Sequence, residues 1–305
     1  MTTTNSIYRS GSIDSGETGL CRRPDPTPAT ATHCPRVSVV IPTYNRAWTL
    51  GEAIDSALGQ TFESFEVLVV DDGSTDGTAK LLGRYGSAVR VLRQTNQGVS
   101  AARNAGIRSA RGELIALLDS DDLWRPEKLA RQVAYFDALP GALICQCQEI
   151  WIRNGVRVNP KQRHRKPAGD IFSRSLELCL VSPSAVMMRR RLLSQVGFFD
   201  ESLPACEDYD LWLRVSARFP VGLIDYVGTV KRGGHEDQLS RTAGLDRYRI
   251  RALAKILAVG RLSPSRQRAA IAILKRKCGI YAAGCRKRGR VDDARHYERL
   301  ARWFR

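Results

Sequence analysis

Residues 37–78 read VSVVIPTYNRAWTLGEAIDSALGQTFESFEVLVVDDGSTDGT. A β-branched run at 37–41 gives way to helical spacing of apolar residues over 48–60, and a second apolar run follows at 65–70. The alternation continues outward with a helix over 75–85, a strand over 88–92, a helix over 99–110 and a strand over 114–118. Strand, helix, strand repeats of this length require right-handed crossovers and a parallel sheet covered on both faces. The uninterrupted apolar strands suit such burial. The pattern predicts an α/β fold with a doubly wound, mostly parallel sheet.

Beyond 118 the spacing predicts a helix over 126–138, a strand over 142–152 and a basic loop over 154–170. A helix over 171–180, a strand over 185–188 and a helix over 208–217 follow. Residues 1–35 are rich in Thr, Ser, Gly and Pro with few large apolar side chains, which predicts a disordered leader. That leader has no apolar core or cleavage site of a secretory signal, and no apolar run approaches the roughly 20 residues needed to span a bilayer. The expected location is cytoplasmic. The eight cysteines are scattered without CxxC pairs, consistent with a reducing compartment; Cys145 and Cys147, two apart on a strand, read as buried thiols.

The 305 residues carry 48 Lys and Arg against 31 Asp and Glu, a net charge of +17. Residues 241–305 hold 19 of those cations and only 4 acids, so nearly all the excess lies there. This divides the chain into a near-neutral domain at 36–240 and a basic helical appendage at 241–305, and it argues against nucleic acid as a partner of the central domain. Ile271, Leu274, Cys278, Tyr281 and Cys285 recur at helical spacing beside Lys275, Arg276, Lys277, Arg286, Lys287 and Arg288. Two uses fit: the stripe packs on the central domain, or the basic face meets an anionic membrane surface.

Open parallel sheets place ligands beyond the carboxyl ends of their strands. The first strand ends in Thr43-Tyr44-Asn45-Arg46 and the second in Asp71-Asp72-Gly73-Ser74. The fourth ends in Asp119-Ser120-Asp121-Asp122, three carboxylates whose mutual repulsion calls for a cation. Oxygen-only ligands suit Mn2+ or Mg2+. Glu207-Asp208 opens a helix, and Lys231-Arg232-Gly233-Gly234-His235 places cations and a histidine in what reads as a flexible loop suited to closing over phosphates.

These stretches, with NQGVSAARNAGIRSARGELIALLDSDDLW, FDESLPACEDYDLWLR and KRGGHEDQLS in the same order, resemble the family 2 glycosyltransferases over about residues 37–240. The resemblance implies the GT-A fold, with a nucleotide-sugar-binding half at 36–125 and an acceptor half at 126–240. It implies inverting transfer of one sugar from a nucleoside-diphosphate sugar, UDP preferred, to a carbohydrate or lipid-linked acceptor in polysaccharide assembly. By this resemblance Thr43, Tyr44 and Arg46 contact the nucleotide, Asp71 and Asp72 hold the base and ribose, and Arg103 lies near the nucleotide. Asp119 and Asp121 lie at the donor, and Asp121, Asp122 and His235 at a divalent metal, with His235 closing on the diphosphate or that metal; the charge of the leaving diphosphate calls for fixed positive donors, a role for Arg103 and for Lys231 or Arg232. Asp208 matches the general base. The Gln-x-x-Arg-Trp motif of processive members is missing, since Arg302-Trp303 follows Glu298. If the appendage does touch a membrane, the enzyme is expected as a peripheral protein at the inner face.

Two other readings remain at this point. A nucleotidyltransferase would use a similar sheet but is expected to carry a Gly-rich phosphate loop where this chain has Pro42-Thr43-Tyr44-Asn45-Arg46. A non-catalytic binding module would act through the basic tail alone.

Overall fold

The computed structural model describes residues 34–158, 162–235, 238 and 244–304. Most of the leader, and parts of the 154–170 and 231–240 segments, therefore lie outside the described residues. The first half follows the strand and helix alternation closely: β1 (Val37–Thr43), α1 (Ala47–Leu58), β2 (Phe65–Asp71), α2 (Thr78–Gly83), β3 (Arg90–Arg93), α3 (Val99–Ser109) and β4 (Leu114–Leu117). Then come β5 (Leu123–Trp124), α4 (Lys128–Ala138), β6 (Ile144–Arg153), β7 (Val156–Val158), α5 (Phe172–Ser175), β8 (Val186–Arg189), α6 (Arg190–Val196), α7 (Glu207–Ser216) and β9 (Gly222–Gly233). Helices α8 (Asp246–Ala258), α9 (Pro264–Lys287) and α10 (Val291–Trp303) end the described chain.

The sheet runs β3-β2-β1-β4-β8-β6-β9-β5, with β7 on the flank of β6. The β3-β2-β1-β4 half is parallel, and β8 joins it antiparallel. Strand side chains alternate between two cores. Val37, Val39 and Ile41 of β1 pack with Leu50, Ile54, Val133 and Phe136 of α1 and α4. Val40, Val70, Ile115 and Leu117 face Ile107 of α3 and Trp212 of α7. Helix α3 comes so close to the sheet that a Cβ on Gly106 would lie 2.4 Å from Val40 Cγ1.

Three elements depart from the sequence pattern. The helix expected at 171–180 is a single turn, α5, after which the chain extends toward β8. Part of the basic loop is instead a hairpin, in which β7 pairs with β6 across Asn154-Gly155. Both residues have positive φ, 49° and 76°, as a tight two-residue turn demands. Lastly, Lys231-Arg232-Gly233 is strand and not flexible loop, because β6 continues alongside β9 as far as the Arg153–Gly233 pairing.

Helices α8–α10 share one core with the domain before them. Leu253, Leu274, Cys278, Tyr281 and Cys285 are buried against Phe172, Leu176, Tyr209 and Leu213. The apolar stripe of α9 therefore packs inward. Its start is set by Pro264 in the first turn and by Ser263, whose Oγ accepts the Arg266 N–H at 3.4 Å.

Candidate active site

The loops after β1 and β2 are laced together. Asn45, at φ 51°, donates its N–H to Ser74 Oγ (2.9 Å) and accepts from the Thr75 N–H (2.8 Å). Asp76 accepts from Ala47 N at the start of α1, and Asp71 accepts from Ser74 N (2.9 Å) with Arg93 at 4.0 Å. Asp72 is turned to the β3–α3 connection, where it accepts from Gln94 Nε2 (2.7 Å), Gln97 N (2.9 Å) and Gly98 N (2.8 Å). That connection is thereby fixed at the mouth of the parallel half. Thr43 is buried and Tyr44 is 46% exposed at this rim. Arg46 lies over Trp48 at 5.6 Å.

Arg103, buried on α3, reaches across the sheet end to two carboxylates. It donates to Glu207 Oε1 at 2.5 Å and Asp119 Oδ1 at 2.6 Å, fastening the N-terminus of α7 to the end of β4. Burial disfavours the ionised forms, yet Arg103 and then Lys231 draw the Asp119 carboxyl below its usual range. Burial outweighs Arg103 at Glu207, which is held above it.

Asp121 is held high by burial and by Asp119, against the pull of Arg46 and Lys231. Asp122 is 1% exposed and is pushed up to about 8 by burial, against the pull of Lys231 and with Asp121 and Asp119 adding to the rise. Both Asp122 oxygens accept from the protein: Oδ2 from Ser184 Oγ (2.6 Å) and Oδ1 from Arg232 N (2.9 Å). Arg232 also donates to the Asp121 carbonyl at 2.5 Å and pairs with Glu52 of α1. Lys231 beside it stands among carboxylates: burial would lower its ammonium, but Asp122, Glu149, Asp119 and Asp208 more than reverse this.

Asp208 occupies the first turn of α7, half-buried, with Cys179 Sγ 3.3 Å from Oδ2. Its neighbour Glu207 is 5% exposed and tied to Arg103. The residue before them, Cys206, holds a left-handed φ of 61°, a strained entry for a side chain with a Cβ.

One segment missing from the sequence reading joins these parts. In the 179–185 stretch, Cys179 donates to Asp208, and Ser182 donates to Glu149 and accepts from Lys166 (3.1 Å). Ser184 donates to Asp122 and accepts from Asp119 N (3.1 Å), while its carbonyl accepts from Trp124 Nε1 (2.7 Å) and Thr229 Oγ1 (3.0 Å). Glu149 and Lys166 form a buried pair at 3.0 Å. The available signal was a lone carboxylate in the apolar strand ICQCQEIWI.

The expected cation group is only partly gathered. Among the described residues, no three His, Cys, Asp or Glu side chains are grouped to hold a metal ion. His235 lies edge-on to Trp48, ring centroids 4.6 Å apart. Asp122 has its oxygens engaged as above, whereas the Asp121 carboxylate, which feels both Arg46 and Lys231, fits a cation that draws its other ligands from diphosphate and water.

The sequence profile of Glycosyl transferase family 2 matches residues 38–197. A glycosyltransferase of Rickettsia typhi, itself of uncharacterised activity, is 36% identical over 220 residues, 70% of this chain and 68% of that protein. An Escherichia coli protein described as UDP-Glc:alpha-D-GlcNAc-diphosphoundecaprenol beta-1,3-glucosyltransferase WfgD is 32% identical over 183 residues, 59% of this chain and 69% of its own. Among solved structures, S. aureus TarS 1–349 in complex with UDP-GlcNAc superposes with a TM-score of 0.64 at 20% identity, covering 88% of this chain and 92% of that one. The mannosyltransferase PcManGT of Pyrobaculum calidifontis, in complex with GDP-Man and Mn2+, gives 0.57 at 23% identity over 89% and 81%. With this GT-A fold and these relatives, the chain belongs to glycosyl transferase family 2 and is a glycosyltransferase.

Proposed function

We propose that the enzyme moves one sugar at a time from a UDP-sugar to a hydroxyl of a lipid-linked saccharide, with inversion at the anomeric carbon, in the assembly of an envelope polysaccharide. The observation that carries this reading is the meeting of Asp208 with Asp119, Asp121 and Asp122 around Lys231 at the carboxyl ends of the strands. The E. coli relative's UDP-Glc donor and diphosphoundecaprenol-linked acceptor support the choice of substrates.

In this reading Tyr44 and Arg46 meet the nucleotide at the rim, Thr43 lies beneath them, and Asp71 and Asp72 hold the surrounding loops in place to receive base and ribose. Asp121 would hold a divalent cation, Mn2+ or Mg2+, which would supply positive charge against that developing on the departing diphosphate. Lys231 adds a fixed positive charge that needs no reorganisation during the reaction. Asp122 sets the backbone around Asp121 through Ser184 and Arg232. Arg103 and Asp119 fix the donor side to α7, and His235 with Trp48 closes it.

Asp208 takes the proton of the acceptor hydroxyl as that oxygen attacks the anomeric carbon from the face opposite the diphosphate. Its half-buried position suits the task better than that of Glu207, whose carboxylate is committed to Arg103. Product analysis tests the reading. Incubation with nucleotide sugars and a diphosphate-linked acceptor should release nucleoside diphosphate; release of pyrophosphate would assign a nucleotidyltransferase, and no release a binding module.

No helix among the described residues is long and apolar enough to cross a membrane. We place the enzyme in the cytoplasm, held to the inner membrane face through the solvent side of α9 and α10. Lys275, Lys287 and Arg288 are exposed there, and Trp303 is 81% exposed.

A further inference from the structure

A cavity of about 280 Å3 adjoins this centre and has no part in the chemistry above. Its floor is the Glu149–Lys166 pair, with side chains 10% and 5% exposed. Lys166 is fully spent, donating to Glu149, to Gln146 Oε1 (3.2 Å) and to Ser182 Oγ (3.1 Å). Glu149 is held down at about 2: burial would raise it, but Lys166, Lys231 and the donors Ser182 and Trp151 prevail. This pair is scaffold, not a reagent.

The scaffold orients Trp151. Its indole N–H donates to Glu149 Oε1 at 2.8 Å, which leaves carbon surface to line the cavity, and His164 stands edge-on to it with ring centroids 5.4 Å apart. Gln148, Gln162 and Arg165 complete the wall. Among the described residues their side-chain amides and guanidinium have no hydrogen-bond partner. A fixed aromatic surface ringed by available amides suits a sugar ring, which offers both C–H faces and hydroxyls. The volume lies near the small end of the roughly 300–1,000 Å3 typical of ligand pockets, room for a single sugar unit.

Two further observations give the ligand its charge and place. From residue 150 to 169 the chain carries six Lys and Arg and no Asp or Glu. In the sheet, Glu149 pairs with Thr229 and Trp151 with Lys231, so the cavity shares a wall with the lysine around which Asp119, Asp122 and Asp208 stand. A ligand seated here would lie beside the acid-lined centre.

We propose that this cavity is the acceptor subsite. It takes the sugar of a lipid-linked saccharide diphosphate against Trp151, with Gln148 and Gln162 on its hydroxyls and Arg165 on the diphosphate, a group that guanidinium recognises through paired hydrogen bonds. The assignment rests on the glycosyl-transfer reading of the Asp208 centre.

The test is calorimetry on the full chain without donor, using hexyl-diphosphate-linked hexoses and N-acetylhexosamines, the matching hexyl glycosides and hexose 1-phosphates. At least one hexyl-diphosphate sugar should bind, more tightly than its 1-phosphate. Arg165→Gln should weaken it about tenfold, the scale of one charged hydrogen bond, while leaving the phosphate-free glycoside unchanged. Gln148→Leu and Trp151→Leu should weaken both probes and raise acceptor KM more than donor KM. Failure of every probe to bind the native chain, equal binding by the three variants, or preference for the 1-phosphates would overturn the proposal. Failure of the glycosyl-transfer reading registers separately, as no nucleoside diphosphate released from any donor by the native enzyme.

Discussion

Replacing Arg103 with Met probes the joint between the two halves of the site. Arg103 is 4% exposed, and its guanidinium makes ion pairs at 2.5 and 2.6 Å to Glu207 and Asp119. Each charge-assisted hydrogen bond is worth about 1.5–3 kcal/mol, and removing one partner of a buried pair costs about 3–5 kcal/mol because the other charge is stranded. Asp119 keeps 23% of its side chain in solvent and recovers part of its hydration, so the expected loss is about 4 kcal/mol. Against a usual stability of about 5–15 kcal/mol, the variant retains a folded baseline. The loss should depend on pH. Glu207 is already held high by burial, and losing Arg103 removes the group that opposes this. A carboxyl raised in the fold costs stability above its ordinary pKa, and the cost fades as pH falls through the raised value. Urea denaturation at pH 8 and pH 5.5 should therefore show a smaller deficit at the lower pH, with part of it restored by adding Glu207→Gln. A deficit under 1 kcal/mol that is the same at both pH values would refute the reasoning.

Asp208→Asn should leave donor affinity unchanged and lower turnover by roughly 10²–10⁴, whereas Glu207→Gln should chiefly lower stability; kcat measured alongside thermal melting separates them, and the reverse pattern would move the base to Glu207. Asp121→Asn should abolish the dependence of UDP-sugar binding on Mn2+, and equally tight binding by the native enzyme in EDTA would remove the metal role. Lys128 is fully buried with Nζ 3.9 Å from the Trp124 ring centroid, and burial lowers its pKa to about 8. The fold bears the full cost of the charged form below that pH and sheds it toward 10.5. Denaturation series should thus show the native chain gaining about 2–3 kcal/mol on Lys128→Met between pH 7 and 10.5, and a constant difference would contradict the burial argument. Lys275→Glu with Lys287→Glu and Arg288→Glu should reduce cosedimentation with anionic vesicles at low salt and leave neutral vesicles unaffected; native binding that ignores salt would reject the electrostatic attachment.

The parallel half was legible because its signals are local. β-Branched runs, helical spacing and polar strand ends mark β1 to β4 within a residue or two, and they place Asp71, Asp119 and Asp121 at the carboxyl edge. The second half depends on partners distant in sequence. Nothing near Lys231 indicates that β6, some 80 residues earlier, holds it in a strand, and nothing in VSPSA indicates that two serine hydroxyls will reach Glu149 and Asp122. Asp72 shows the same limit: its motif marks a strand end, while its three donors come from residues 94–98. Truncation at Ser240 illustrates the consequence for the tail. The charge count marks residues 241–305 as an appendage and leaves open whether its stripe packs on the central domain; since removing α8–α10 would uncover Phe172, Leu176, Tyr209 and Leu213, charge reversal is the cleaner test.

The central claim is a single displacement on a nucleotide sugar, assisted by Asp208. Its most direct test is the anomeric configuration of the product, read by NMR after transfer from an α-linked UDP-sugar to a hexyl-diphosphate-linked acceptor. The account predicts a β-linked product, one UDP released per bond formed, and loss of both in Asp208→Asn. An α-linked product, or a β-linked product still formed at the native rate by Asp208→Asn, would contradict it.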